Sequence, residues 1–441
     1  MTTPRSPGAA PAGVQIDVTV VEGVSLRREP PAGLVFDDEL LSTHILFLGG
    51  IGTGKTNAMK QLVRMIRARN RPGDVFVIFD TKGDFQADFY RPGDAVISTN
   101  PAEDEGGVTW NLFRDLPDDP GHRGEEINEI ATTIFSDDLD QAGENVFFAA
   151  AARDIFAGVV EAMADGAAVP GIDSTPPYSN KELRSALEIS DDDLSELLSS
   201  QPNLAGTTRY LEGGEHVESI LAFLQLTLRK SFSGVFREPG DFSVRDFVRR
   251  RGGRALFIEY DIAVGASLLP VYRVLIDTAI KEALGSGRRI LRENGEVKDN
   301  FYFIFDEFAL LPRLSHVSDG INFGRQLGLK FLVGTQNVSQ VLRGYSDGLG
   351  DSILSGFGTL FAFRLFDEAS RTLVRQRYGA NRKKVSTTAA LRHDGVRDTV
   401  VSGNVIEDWE MSRLPRGQCI ASLPPPHEAP FNLEFREFKK A

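Results

Sequence analysis

One segment leaves this chain little choice of local fold. HILFL, His44 to Leu48, is a short apolar run of the kind a parallel sheet buries on both faces. It runs straight into the glycine-rich octapeptide GGIGTGKT, Gly49 to Thr56. The glycines give way to Asn57–Arg69, where Met59, Leu62, Val63 and Ile66 fall at helical spacing. Pro72 and Gly73 stop that helix, and VFVIF, Val75 to Phe79, reads as a second buried strand. Strand, glycine turn, helix, strand is a βαβ unit, and it commits this part of the chain to an α/β domain.

The turn carries chemistry as well as shape. Gly49, Gly50, Ile51, Gly52, Thr53, Gly54, Lys55 and Thr56 fit G-x-x-x-x-G-K-[ST]. Glycines let successive backbone N–H groups face inward around a phosphate chain, and the following helix turns its positive end to the same place. Lys55 would neutralise the β- and γ-phosphates of ATP, and the Thr56 hydroxyl would bind Mg²⁺. The plain alternative is a glycine turn with an incidental lysine. It does not explain why the motif lies between a buried strand and an amphipathic helix.

A second apolar strand ends in two carboxylates: FYFIFDEF, Phe301 to Phe308. Asp306 stands where a P-loop enzyme holds its Mg²⁺ through water. Glu307 stands where multimeric P-loop motors keep the group that polarises the attacking water. Taken alone, this is also how an acidic cap on a buried strand would read. A further strand, Lys330 to Val333, ends in Gly334, Thr335 and Gln336. Gln336 at that tip could reach the γ-phosphate or its water, although a polar residue often ends a strand. Arg325 lies on a helix expected around Asn322–Leu327.

Asp306 is much farther along the chain from Lys55 than a minimal P-loop domain requires, and the intervening sequence explains the excess. With 441 residues the chain has room for two or three domains, or for one domain with a large insertion. From Leu116 to about Arg251 there are almost no β-branched runs. Glu125–Phe135, Val146–Met163, Asn180–Leu187 and Ser219–Phe232 all show helical periodicity. The fold expected is therefore a P-loop NTPase of RecA-like type: a mostly parallel sheet with an inserted all-α domain. Residues 1–13 form a disordered tail, 14–115 and 252–441 the motor domain, and 116–251 the insertion. Val14–Val24 reads as a strand or hairpin, Leu268–Leu284 as a helix and Gly285–Asp299 as a polar linker. Two more short strands and the proline-rich stretch Pro424–Pro430 are expected after Thr359–Phe363.

Taken together, the motifs resemble those of one family. GGIGTGKT, DTKGDF (Asp80 to Phe85), NPAEDEGGVTWNLF (Asn100 to Phe113), FDEFALLP (Phe305 to Pro312), GRQLGLKFLVGTQNVSQV (Gly324 to Val341) and WEMSRLPRGQCIASLPPP (Trp409 to Pro426) look like type IV coupling proteins. These are the conjugative DNA-transfer ATPases of the HerA/FtsK superfamily, and the resemblance covers the chain from about residue 30. It implies a ring-forming motor, a homo-hexamer, with ATP and Mg²⁺ held between neighbouring subunits. In that ring Arg325 would reach the neighbour's nucleotide as an arginine finger, and Gln336 matches the family's glutamine. Arg364, Arg371 and Arg375 are competing finger candidates. Asp80 and Lys82 carry a family motif, with stabilisation of a turn as the plain reading. The resemblance implies DNA as partner, with a relaxase or a membrane secretion subunit besides.

Many family members begin with membrane-spanning helices. This chain begins with a polar, proline-containing tail, and it contains no apolar run of transmembrane length. The expected location is the cytoplasm, or the inner face of a membrane through a partner. A cytosolic HerA/FtsK-like DNA-processing or packaging motor therefore stays open. So does a non-motor P-loop switch, which would leave Glu307 without a purpose. A single cysteine excludes an internal disulfide.

The net charge of −13 excludes indiscriminate coating by nucleic acid but leaves a local basic lining possible. Two clusters offer one. Arg245, Arg249, Arg250, Arg251 and Arg254 lie where the insertion returns to the core. Arg371, Arg375, Arg377, Arg382, Lys383 and Lys384 follow the Thr359–Phe363 strand. Either would give sequence-independent phosphate contact through a ring pore, and either could simply be a solvated face.

Overall fold

The computed structural model describes residues 15–214, 216–345, 348–388, 397–425 and 429–440. In chain order the strands are β1 (Gln15–Glu22), β2 (Ile45–Leu48), β3 (Val75–Asp80), β4 (Ala95–Ile97), β5 (Arg254–Glu259), β6 (Phe301–Phe305), β7 (Leu329–Thr335), β8 (Thr359–Ala362), β9 (Ala380–Thr388), β10 (Arg397–Asn404), β11 (Gln418–Ser422) and β12 (Phe431–Glu434). Nine of them make one sheet in the order β12-β11-β8-β2-β7-β6-β3-β5-β4. The run from β8 to β4 is parallel, and β11 and β12 add an antiparallel edge. Strands β2, β3, β6, β7 and β8 are buried at every position. Their sequences accordingly read as unbroken apolar runs instead of alternating ones.

Each face of the sheet has its own core. One is built on Leu46, Val77, Phe303 and Val333, the other on Ile45, Phe76, Ile304 and Leu332. The P-loop helix Lys55–Ala68 packs on the second face through Met59, Leu62, Val63 and Ile66. The first face receives the helix Gly265–Asn294 and, over it, the helices that lie between β4 and β5. Those helices are Pro120–Gln141, Val146–Ala164, Asn180–Ala186, Asp191–Ser199, His216–Ser231 and Val244–Arg250. Among the described residues, none between β4 and β5 is in a strand. Asp191–Ser199 has no counterpart in the sequence reading; it is short, capped by Ser190, and fixed by burial of Leu194, Leu197 and Leu198.

Several expectations need correction. The helix read as Leu268–Leu284 runs from Gly265 to Asn294, so most of the polar linker expected at 285–299 is helical. Its second half is polar but rich in helix formers, and Gly287 lets the helix meet Leu327, where a Cβ would lie 2.4 Å from the Leu327 carbonyl oxygen. The helix expected around Asn322–Leu327 is an α-helix, Val317–Phe323, followed by a 3₁₀ turn, Gly324–Leu327, that carries Arg325. Four strands follow β8 instead of two. Two of these, β9 and β10, join β1 in a separate three-stranded antiparallel sheet, so β1 lies outside the nine-stranded one.

β12 follows the proline-rich stretch, and the chain then turns back over the P-loop helix. There Asn57 bonds the Phe438 amide (2.6 Å) and the Arg436 carbonyl (2.8 Å), and the Arg64 guanidinium stacks 3.7 Å from the Phe438 ring. Among the described residues, no helix is long and apolar enough to cross a membrane.

Candidate functional site

The parallel register brings four strand ends to one edge. Leu48 of β2 pairs with Thr335 of β7, Phe305 of β6 with Val333, and Phe79 of β3 with Phe305. The residues that follow, Gly49, Asp306, Thr81 and Gln336, therefore converge at the carboxyl end of the sheet, where α/β folds place ligands.

The phosphate turn is tied at both ends. Gly49 N–H bonds the Thr335 carbonyl (3.2 Å), Gly50 N–H the Arg364 carbonyl (3.1 Å), and the Thr53 hydroxyl the Gly50 carbonyl (2.8 Å). Two positions demand glycine. Gly54 has φ of +113°, and a Cβ on Gly49 would lie 2.6 Å from that of Phe363. Lys55 is 8% exposed, and its ammonium donates to the Gly49 carbonyl (2.5 Å) and the Gly50 carbonyl (3.2 Å). Burial lowers its pKa, against the opposing charges of Glu307 and Asp306. An ammonium in such a place gains most from an anion that replaces the lost water.

Thr56 and Asp306 are 250 positions apart in sequence, yet the Thr56 hydroxyl bonds Asp306 Oδ1 at 2.9 Å. Thr81 donates to Asp306 Oδ2 at 3.2 Å. One hydroxyl beside one carboxylate suits Mg²⁺, which takes few protein oxygens and completes its octahedron with water and substrate phosphates. In keeping with this, the described residues contain no cluster of three or more His, Cys, Asp or Glu able to hold a metal unaided. Glu307 stands at the cavity wall. Burial pushes its carboxyl above the ordinary glutamate range, opposed by Gln336 and the Lys55 charge. Its Oε1 is buried and has no hydrogen-bond partner among the described residues. Such an acceptor is costly to bury unless a ligand or water uses it.

These groups line a cavity of about 560 Å³, the size class of small-ligand sites. It joins the turn Gly50–Thr56 to Asp306, Glu307 and Gln336. It also takes in Thr81, Lys82, Tyr260, Ile262, Leu310 and Arg416, to which the sequence reading gave no place in the site. Lys82 belongs to a motif already noticed. So does Arg416, in WEMSRLPRGQCIASLPPP, though no role was read for it: it arrives on a loop whose Gly417 N–H bonds the Thr53 carbonyl at 2.9 Å. Asp80 is 1% exposed and accepts the amides of Phe85 (2.7 Å), Gln86 (2.9 Å) and Lys82 (3.2 Å), so it fixes the turn that presents Thr81 and Lys82.

Arg325 is not in this cavity. It is exposed on the turn before β7, whereas Gln336 follows the other end of that seven-residue strand, about 20 Å away. Within one subunit it cannot serve the nucleotide cavity. Among its competitors, Arg371 pairs with Glu368 (2.8 Å), and Arg375 pairs with Glu368 (2.6 Å) and Asp408 (2.7 Å). Arg364 is held beside the turn by its carbonyl.

Most cations of the basic clusters are matched by acids; Arg254 and Arg377 instead bond the Arg251 and Phe357 carbonyls. Arg249 pairs with Glu282 (2.8 Å), Arg250 with Asp246 (2.9 Å) and Arg251 with Asp299 (3.4 Å). Arg382 pairs with Glu22 (3.2 Å), Lys383 with Glu407 (2.6 Å) and Lys384 with Asp398 (2.7 Å). Arg245 is buried against Glu126 (3.1 Å).

Residues 30–426 match the family model for the type IV secretion-system coupling protein DNA-binding domain. The chain is 24% identical over 396 residues to the coupling protein TraD of Escherichia coli K12, covering 86% of this chain and 51% of TraD. It is 25% identical over 339 residues to the conjugal transfer protein TraG of Agrobacterium fabrum C58, covering 71% and 47%. The chain thus spans about half the length of these curated relatives. Among solved structures, the unbound bacterial conjugative coupling protein TrwBΔN70 superposes with a TM-score of 0.73 at 20% identity, covering 98% of this chain and 96% of that one. TrwB in complex with ADP and Mg²⁺ superposes at 0.71 and 19% identity, covering 98% and 97%. These likenesses establish the P-loop NTPase fold.

Proposed function

The chain belongs to the type IV secretion-system coupling protein family, and from that footing we propose that it is an ATP-driven, ring-forming DNA translocase of conjugation or type IV secretion. One observation carries the reading. Lys55, the Thr56–Asp306 pair and a desolvated Glu307 with an unpartnered oxygen all face one cavity, beside Gln336. A nucleotide switch needs Lys55, Thr56 and Asp306; only hydrolysis needs Glu307.

In this reading the Gly50–Thr56 amides and Lys55 bind the phosphates, as TrwB binds ADP with Mg²⁺. Thr56 and Asp306 would hold Mg²⁺, which supplies charge neutralisation at the γ-phosphate. Glu307 orients and polarises the attacking water, and Gln336 positions that water against the γ-phosphate. Arg325, far from its own subunit's cavity, acts on the neighbour's nucleotide in a homo-hexamer. DNA passes through the ring and is gripped by its phosphates, with Arg249, Arg250, Arg251, Arg382, Lys383 and Lys384 as candidate contacts. Each of these already faces an acid. Binding DNA then exchanges one partner for another, at about 0–1 kcal/mol for an exposed pair. The helical region at 116–251 is taken as the inserted domain, and a relaxase or a membrane secretion subunit as the partner that delivers DNA.

The test is the rate of Mg²⁺-dependent ATP hydrolysis against protein concentration, with and without DNA. The expected result is turnover per subunit that rises with concentration and rises again with DNA. Nucleotide binding with only background turnover under all these conditions would leave the switch as the better reading.

A further inference from the structure

The residues that follow Glu307 are fastened to the helical region between β4 and β5. Leu310 N–H bonds the Glu307 carbonyl (3.2 Å), and Phe308 stacks on Tyr345 at 5.5 Å. The Tyr345 hydroxyl donates to the Leu311 carbonyl at 2.8 Å. Asp277 of the helix Gly265–Asn294 accepts the amides of Ser315 (2.9 Å) and His316 (3.1 Å). Between these anchors Arg313 has a left-handed backbone, with φ of +65°, which costs a non-glycine residue about 1–2 kcal/mol.

That strained residue reaches outward. Its guanidinium pairs with Asp137 and Asp140 of the helix Pro120–Gln141, both at 2.7 Å. Arg273, whose side chain is 2% exposed, pairs with the same Asp137 at 3.0 Å. Three residues on, the His316 ring bonds Glu129 of that helix, which Lys281 also pairs. Burial works to raise the Glu129 carboxyl, but His316 and Lys281 hold it down to about 2. His316 in turn is held above its ordinary value by Glu129, against burial. A strained backbone persists only where its surroundings over-determine it, and here those surroundings belong to the helical region.

We propose that Arg313 and His316 are positioning residues that latch the Phe308–His316 segment to the helix Pro120–Gln141, so that the docking of the helical region sets the placement of Glu307. This rests on Glu307 being the hydrolytic carboxylate. A displacement of the helix moves the segment, and a misplacement of about 1 Å costs on the order of 100-fold in rate. Whatever engages the helical region thereby gains access to the turnover rate without touching the nucleotide.

The test compares the full chain with Arg313→Ala, Arg313→Lys and His316→Gln. Arg313→Ala should lower kcat by about 10- to 100-fold at unchanged ADP affinity, and Arg313→Lys should recover part of it. An unchanged kcat, or loss of ADP affinity in step with kcat, overturns the proposal. Amide hydrogen exchange over residues 308–316 reads the latch without turnover: faster exchange in Arg313→Ala supports it, and unchanged exchange sinks it. If exchange quickens but the unaltered chain does not hydrolyse ATP, the latch stands and the reading of Glu307 falls.

The His316 arm is read by pH. The groups facing its ring are Glu129 from the helix Pro120–Gln141 and Asp277 and Lys281 from Gly265–Asn294. A raised folded-state pKa means the pair stabilises fully below the unfolded value of about 6.5 and is lost as pH rises through the folded value. The thermal midpoint of the chain should exceed that of His316→Gln at about pH 6, with the gap closing as pH rises beyond the unfolded value and through the raised folded one. A gap that does not narrow overturns this arm.

Discussion

Two charged regions of this protein treat their ions in opposite ways. At the carboxyl edge of the sheet, Lys55 and Glu307 are desolvated, both pKa values are displaced by burial, and one Glu307 oxygen has no partner among the described residues. In the two basic clusters, Arg249, Arg250, Arg382, Lys383 and Lys384 each already have an acid within 3.2 Å. Density of charge in the sequence therefore says little about where chemistry happens. Charge that the fold has stripped of water and left partly unsatisfied says much more, because only a ligand repays the cost.

Three experiments would break or sharpen this contrast. The largest effect is expected at Lys55. Lys55→Ala should take hydrolysis to background, a loss of at least about 100- to 1000-fold, with weakened nucleotide binding. Retained turnover would mean the buried ammonium is structural. Glu307→Gln should next cut kcat by about 10²–10⁴ while ATP stays bound. Mixed with Arg325→Ala subunits, it should regain part of its activity, since an intact Arg325 and an intact Glu307 then meet at some interfaces. No recovery at any ratio would remove Arg325 from the trans role. The smallest effect is expected at Arg249 and Arg250. Replacing both with Ala should change stability by no more than about 1 kcal/mol for the exposed Arg250–Asp246 pair, and by somewhat more for Arg249, whose partner Glu282 is 10% exposed. It should lower the salt slope of DNA binding by about one for each phosphate no longer neutralised. An unchanged slope would move the DNA elsewhere; a large loss of stability would show these pairs to be structural.

Most of the nucleotide site was legible because its parts are contiguous in sequence and periodic in chemistry. GGIGTGKT follows directly on the strand Ile45–Leu48, and FYFIFDEF runs from its strand into the two carboxylates, so local rules sufficed in each. Arg416 lies within a quoted motif, but its place at the cavity was not legible, because the loop that carries it is held there by the Gly417–Thr53 bond, a tertiary tie. The strand β9 was missed because ANRKKVSTT lacks an apolar face; it is held by the backbone pairing of β1 and β10 on either side. The helix Gly265–Asn294 outran its apolar pattern because its polar second half still packs at Ser286 and Gly287, where a small residue admits Leu327. The latch was invisible for a similar reason. Arg313, Asp137 and Glu129 look like ordinary surface charges until the fold sets them against one another.

The tail after β12 has a consequence for the edge of the sheet. Phe438 is wedged between Arg64 and Phe89, and Asn57, the residue after Thr56, is bonded to the tail on both sides. The outermost strand is thus moored, through this tail, to the helix that follows the phosphate turn.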